Sequence, residues 1–537
     1  MVTDAHLSSR LLRLADRHAG KVALVEGAEQ VSFAHFVERL LRFGSAMRRA
    51  GLGEGDAVAL LLPDVRQYLE ADYGIMAAGL VRVPVDPRLA LQEMAAQLAL
   101  ADVKAVVTSA ASAAEIERLK ARFPDLAVIS IDGGIDGAHD FEDLVTAGEP
   151  VSAATGDGEQ LAALNFSGGS TGAPKAIMLR HRNLSAVVDA VPPAFDIRAD
   201  RSFLNVRPLW PIAQVIVMSY LFAGTTVHLG GRFVAERFCD LVRDTGATRT
   251  SLVPTQLVRL LRHLEDDPPG SRLDRLEAIH VGGSRLASDA FERALDMIGP
   301  KIGILYGLTE APITTYLPPA DLAVPGADRH RLMGACGYVL APYTVRLGDG
   351  APVAQGDARD GAGDGSLGAP GEVLIRGDNV MAGYWRNPEE TAGTLRDGWL
   401  HTSDIGAFDE AGRLHIVGRL KDVIRTGSST VLPREVEETL ASFPGVCDVA
   451  VAGLPDPEWG EAVTAFVKLE DGATATAEAL IGHCNGRLAA FKRPKRVVFV
   501  DEIPRSHYGK VIKPQLIAKV PRIEGEVHQS LHERREG

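Results

Sequence analysis

Across residues 32–50 apolar positions recur three and four apart, and Gly51 and Gly53 follow as stop signals, so the pattern predicts a helix with one buried face. The period then changes. Residues 56–62 (DAVALLL) form a nearly continuous apolar run, the mark of a strand covered on both faces. Residues 65–78 return to helical spacing and end at Gly79, and 80–85 read as the next strand, closed by Asp86-Pro87. Further strands are expected at 105–108, 127–131 and 161–166. This alternation predicts α/β layers with mostly parallel sheets, whose ligands sit at the carboxyl ends of the strands. Strands at 202–209 and 225–229 flank a mostly apolar stretch, 210–224, which reads equally as a buried helix or as the wall of an apolar pocket. Of two more strands, 249–253 and 278–281, the second runs into Gly282-Gly283, and a third, 301–306, runs into GLTE. Two successive strands ending in such turns suggest one shared ligand cleft.

Residues 348–371, rich in Gly, Ala and Asp, read as a surface loop without chemistry. Around 418–427 the composition becomes charged and a new alternation begins, with helices at 434–442 and 475–488 and strands at 446–454 and 462–469. The expected organisation is a large multi-subdomain N-terminal domain, 1–420, with mostly parallel layered sheets, and a small mobile α+β C-terminal domain, 421–537. The last residues, 524–537, are polar and expected to fray.

Composition narrows the function by exclusion. The 537 residues are 46% hydrophobic and 24% charged, an ordinary globular balance, and the formal charge of −13 argues against a nucleic-acid or anionic-membrane surface. No apolar run is long enough to cross a bilayer, so a cytoplasmic location is expected. Cys239, Cys336, Cys447 and Cys484 are scattered without metal or redox spacing and are expected to be reduced thiols.

The densest chemical signal is FSGGSTGAPKA, residues 166–176, where glycines surround Ser170 and Thr171 and Lys175 follows. Such a loop turns backbone N–H groups toward a polyanion, and lysine adds a point charge. By itself it is equally an ordinary flexible loop. It also lacks the spacing of a P-loop, in which Lys follows Gly and Ser or Thr follows Lys.

Other stretches follow in order: YGLTE at 306–310, GEVLIRGDNVMAGYWRNPEET at 371–391, HTSDIG through GRLKDVIR at 401–425, and PRSHYGK at 504–510. With the glycine loop and the upstream VPVDPR (83–88), they resemble the acyl-adenylate-forming superfamily of acyl- and aryl-CoA synthetases, adenylation domains and luciferases. The resemblance covers nearly the whole chain. It implies a large domain and a small mobile one with the active site between them, and activation of a carboxylate with ATP and magnesium to an acyl-AMP. The acyl group then passes to a thiol, usually that of coenzyme A. Carried over by position, Ser170, Thr171 and Lys175 resemble the grip on the β- and γ-phosphates. Tyr306 resembles the residue stacked on adenine, with Gly282 and Gly283 beside the base. Thr309 matches the α-phosphate contact, Glu310 the magnesium ligand, Asp404 the acceptor of both ribose hydroxyls and Arg419 its neighbour. Lys510 matches the lysine bridging carboxylate and α-phosphate, Lys421 the hinge, and Gly427 with Ser428 the pantetheine tunnel.

The chain departs from the pattern at four points: Gly168 replaces the first loop serine, Ala176 the glycine after the loop lysine, Trp210-Pro211 an aromatic–histidine pair, and Ser428 a glycine. No acid lies between Trp210 and Gly224 to pair with a substrate amine. Trp210, Pro211, Ile212, Val215 and Met218, with Ile313, favour an apolar carboxylic acid. The leading expectation is an acyl- or aryl-CoA ligase. The alternatives are a half-reaction specialist that ligates a preformed acyl-adenylate to CoA, an adenylation enzyme loading a carrier protein, and a non-catalytic ligand-binding member.

Overall fold

A computed structural model describes residues 6–150, 156–167, 174–210, 213–323, 332–350, 367–427, 429–505 and 511–519. The chain divides into two compact units, residues 1–402 with 406–416 and residues 403–405 with 417–537.

In the first unit, strands Ala57–Leu61, Val81–Pro84, Val103–Thr108 and Ala127–Ser130 pair in parallel, with Val81–Pro84 next to Leu161–Ser167. The antiparallel strand Lys175–Arg180 extends this sheet beyond Leu161–Ser167. A second sheet carries Thr226–Leu229, Ser202–Asn205, Arg249–Leu252, Ala278–Val281 and Ile302–Leu308 in parallel, then turns antiparallel at Ala311–Leu317. The parallel strands are short, and Ala57–Leu61, Val81–Pro84 and Ala278–Val281 are buried at every position, as a doubly covered strand must be.

Helices Phe33–Arg49, Arg66–Ala77, His181–Ala194 and Ala213–Phe222 contribute to one apolar core shared by both sheets, and the opposite faces of the sheets bury separate cores. This is a layered α/β architecture. Helices Phe33–Arg49 and Arg66–Ala77 meet at Gly44 and Gly74, where an added Cβ would lie 2.4 Å from Gly74 O and 2.5 Å from Leu40 O respectively. Under the helix Ala213–Phe222 lies a fully buried ion pair, Arg82 Nε to Asp72 Oδ1 at 3.0 Å, to which the Gln214 amide also donates. Removing one partner of such a pair costs about 3–5 kcal/mol, because the other charge is left without compensation.

The second unit has its own sheet, built on the long antiparallel pair Val446–Asp456 and Gly460–Leu469, with Arg496–Phe499 parallel to the latter and helix Pro433–Ala441 packed on it. The helix expected at 475–488 is confined to Ala477–His483. Cys484 caps it, and Asn485-Gly486, with Gly486 at φ +75°, turns the chain away. Among the described residues no helix is long and apolar enough to cross a membrane.

Candidate active site

The carboxyl ends of the second sheet's parallel strands supply most of the first unit's candidate residues. Gly282 and Gly283 leave the strand Ala278–Val281; Gly283 is at φ +94°, and a Cβ on Gly282 would stand 2.3 Å from Leu305 Cδ1. Only glycine lets this strand end lie so close to its neighbour. The strand expected to stop at Tyr306 runs on through Leu308, so Thr309 and Glu310 form a two-residue hairpin turn into Ala311–Leu317. Gly307 makes that hairpin possible, since a Cβ there would lie 2.4 Å from Ile313 N. The register slips between Tyr306 and Leu308, and Ile313 is forced to φ +46°. For a β-branched residue this is a strained conformation, costing about 1–3 kcal/mol, of the kind that collects at functional sites.

At the turn, Glu310 O accepts from Met381 N at 2.8 Å, and Glu310 Oε1 accepts from Tyr384 Oη at 3.1 Å. Tyr384 belongs to the two-residue strand Gly383–Tyr384, which pairs with Lys175–Arg180. Lys175 opens that strand; its Nζ pairs with Glu390 Oε1 at 2.5 Å and lies 5.6 Å from the Tyr384 ring centre. Glu310, Tyr384, Lys175 and Glu390 therefore form one chain of contacts. Burial first, then the Glu310 charge, pushes the Tyr384 hydroxyl well above its ordinary range, which keeps it a donor. Among the described residues Glu310 has no cationic partner. Gly168, Ser170 and Thr171 lie outside the described residues. Ala176 is buried opposite Phe166 and is not among the residues of positive φ, so the loss of a glycine there imposes no backbone strain.

The segment after Ser202–Asn205 is pinned from the first sheet. Leu209 N donates to Asp64 Oδ1 at 2.7 Å, and burial raises the Asp64 carboxyl to about 6. Trp210 is buried with the Arg88 guanidinium 4.5 Å over its ring, and Arg88 is held by Asp86 at 3.0 Å. Val215 and Met218 are fully buried in helix Ala213–Phe222, and Ile313 nearly so. Pro211 and Ile212 lie outside the described residues.

In the second unit Asp404 is almost fully buried on the strand Trp399–Phe408 and follows Ser403 at φ +59°. Arg419 Nε holds its Oδ1 at 2.8 Å. Lys421 sits in a short 3-10 turn, Leu420–Asp422. Gly427, at φ +59°, donates its N–H to Trp459 O at 2.7 Å and lies under that ring. Ser428 and Lys510 are outside the described residues; Arg505 and Val511 bridge across the segment that holds Lys510.

Sequence reasoning singled out neither Tyr384 nor Glu390, although both stand in a quoted motif, and it missed Asp64 altogether. Their signal is tertiary, because each partner lies far away in the chain.

A sequence profile of the AMP-binding enzyme family matches residues 11–385, and one of the AMP-binding enzyme C-terminal domain matches residues 435–510. The chain belongs to the AMP-binding enzyme family. It is 32% identical to a feruloyl-CoA synthase of an Amycolatopsis species over 521 residues, covering 95% of this chain and 98% of that one. It is also 32% identical to the fatty acid–acyl-carrier-protein ligase ScoC of Streptomyces coeruleorubidus, over 88% of this chain and 89% of that one. The structure of ATP-bound MatB from Rhodopseudomonas palustris superposes with a TM-score of 0.82 at 28% identity, covering 96% of this chain and 98% of that one.

Proposed function

We propose that the chain is an acyl- or aryl-CoA ligase, which joins a carboxylic acid to AMP at the expense of ATP and passes the acyl group to the thiol of coenzyme A. The observation that carries this reading is the Glu310 turn, a carboxylate without a cationic partner among the described residues, linked through Tyr384 to Lys175. The chemistry needs such a site. A carboxylate is a poor acyl donor because its leaving group would be oxide, and attachment of AMP supplies a good one. The first step is displacement at the α-phosphorus, so the protein mainly positions groups and neutralises charge.

The donor set fits magnesium. A single carboxylate, Glu310, held by the Tyr384 hydroxyl suits a hard cation that takes its remaining ligands from substrate phosphates and water. When bound, the ion neutralises charge on the departing pyrophosphate. Glu310 would hold it, kept in place by the Tyr384 hydroxyl. Lys175 exchanges Glu390 for phosphate oxygens, and Ser170, Thr171 and Thr309 add hydroxyl donors. Tyr306 stacks on the base beside Gly282 and Gly283. Asp404, steadied by Arg419, accepts the ribose hydroxyls. Lys510 bridges carboxylate and α-phosphate as charge develops, Lys421 serves as the hinge, and Gly427 with Ser428 admits the thiol. Trp210, Pro211, Ile212, Val215 and Ile313 give the acid an apolar surround.

Transfer to a carrier protein is the second reading, favoured by the similarity to the acyl-carrier-protein ligase. The test gives purified protein a panel of carboxylic acids with ATP and magnesium, with CoA, with a carrier protein, or with neither, and reads pyrophosphate and thioester separately. Acid-dependent pyrophosphate and acyl-CoA are expected. Thioester on the carrier alone would replace the first reading by the second, and a failure of every acid in the panel to release pyrophosphate would overturn both.

A further inference from the structure

Arg207 is a half-buried cation with no acid paired to it among the described residues. It follows the strand Ser202–Asn205 at the carboxyl end of the parallel sheet, with its backbone tied by Asn205 Nδ2 to Arg207 O at 2.8 Å. Its Nη1 donates to Ser251 Oγ at 2.9 Å, and its Nη2 stands 3.9 Å from where a Cβ on Gly283 would be. The guanidinium thus reaches across the neighbouring strand toward the exposed glycine turn. Among the described residues no carboxylate pairs with it. Ser251 is a neutral acceptor and occupies one of five N–H donors. Burial lowers the group's pKa to about 10, so it stays charged at neutral pH. By contrast, fully buried Arg82 has Asp72 beside it and the partly exposed Arg419 has Asp404.

We propose that Arg207 is a specificity-determining residue that binds a second carboxylate on the acid substrate, so that the preferred substrates are dicarboxylic acids. The inference rests on the ligase reading above. A partly desolvated guanidinium recognises a planar anion through its fork of donors, and carboxylate fits that fork. Position decides which anion. Ser202–Asn205 lies three strands from Ile302–Leu308, about 14 Å across the sheet, and Thr309 and Glu310 follow the latter strand. The phosphates belong at that far end. The base beside Gly282 and Gly283 is neutral and would leave the charge unpaired. Reaching over Ser251, the Arg207 side chain closes one or two strand spacings, which leaves roughly 5–10 Å to the strand that leads into the Thr309-Glu310 turn, beside which the ligase reading puts the reacting carboxylate. An apolar body of a few carbons or one ring spans that gap, with Arg207 at its outer end.

The test is calorimetric binding of short dicarboxylic acids and of monocarboxylic acids of matched length to the full chain, with ATP titrated separately. Wild type should bind the matching dicarboxylic acid about tenfold or more tightly than its methyl-ended partner. Arg207→Gln should erase that preference with ATP affinity held within about twofold, and Arg207→Lys should keep part of it, because the charge remains without the fork. A wild type that shows no preference for the second carboxylate overturns the proposal. So does a preference unchanged in Arg207→Gln, and so does a fall in ATP affinity with the ranking of acids intact, which would assign Arg207 to the nucleotide. Partial retention in Arg207→Lys guards against a folding defect in Arg207→Gln. Binding is read without turnover, so failure of the ligase reading shows separately, as acids that bind and yet release no pyrophosphate.

Discussion

At the scale of single residues, Glu310 carries the most specific expectation. Its carboxylate stands at a rigid hairpin turn and takes one hydrogen bond from Tyr384, at 3.1 Å. Glu310→Gln preserves size and an acceptor for that hydroxyl but removes the charge a cation needs. Acid-dependent pyrophosphate release should fall on the order of 100-fold, with a raised magnesium requirement; unchanged magnesium dependence would remove Glu310 from the metal site. Asp64 makes a different kind of prediction. Burial holds its folded pKa at about 6 against an ordinary value of 3.8, so the folded state binds the proton more tightly than the unfolded chain. Stability is therefore lost as pH rises from about 4 to 6, by on the order of 2–3 kcal/mol from this group. Asp64→Asn keeps an oxygen for the Leu209 N–H and should flatten that part of the profile, measured by urea unfolding across the pH range. Glu310 was legible because its motif is local and ordered among others. Asp64 was not, because its partner is 145 positions away and its neighbourhood, LPDV, reads as an ordinary turn.

At the scale of elements, most strands were legible for a simple reason. Short apolar runs bounded by Gly, Pro or Asp have few alternatives in an alternating α/β chain, and 56–62 and 80–85 settle as Ala57–Leu61 and Val81–Pro84. The stretch 210–224, left open between helix and pocket wall, contains the helix Ala213–Phe222, whose side chains include fully buried Val215 and Met218. The hairpin at 302–317 escaped reading because GLTE looks like a loop, whereas Gly307 allows pairing to continue past it. That glycine gives the element its test. Gly307→Ala places a Cβ 2.4 Å from Ile313 N, a backbone atom that cannot rotate away. Unfolding should shift by about 3 kcal/mol, and pyrophosphate release should drop with it, because the Thr309-Glu310 turn moves with the hairpin. Full stability in the variant would mean that the bulge is not as tight as described.

At the scale of the whole molecule, a chain of net charge −13 is proposed to bind a polyanion, so cations must be concentrated locally. Lys175, Arg419 and Lys510 are placed by the proposal where the nucleotide would need them. The order of motifs along 537 residues made the family legible, but the order of strands within the sheets was not, since neighbours such as Arg249–Leu252 and Ser202–Asn205 are joined only through tertiary pairing. The two-step chemistry predicts a split in one variant: Lys510→Ala should suppress adenylate formation from acid and ATP by on the order of 100-fold, while thioester formation from supplied acyl-adenylate and CoA changes far less. Equal loss in both would deny Lys510 its role in the first step. The central claim, that this chain itself activates a carboxylate through its adenylate, is met most directly by exchange of labelled pyrophosphate into ATP without any thiol present. Exchange that requires both magnesium and a carboxylic acid, and that collapses in Glu310→Gln, is the expected result. No exchange with any acid, alongside acyl-CoA formed from chemically made acyl-adenylate, would contradict it.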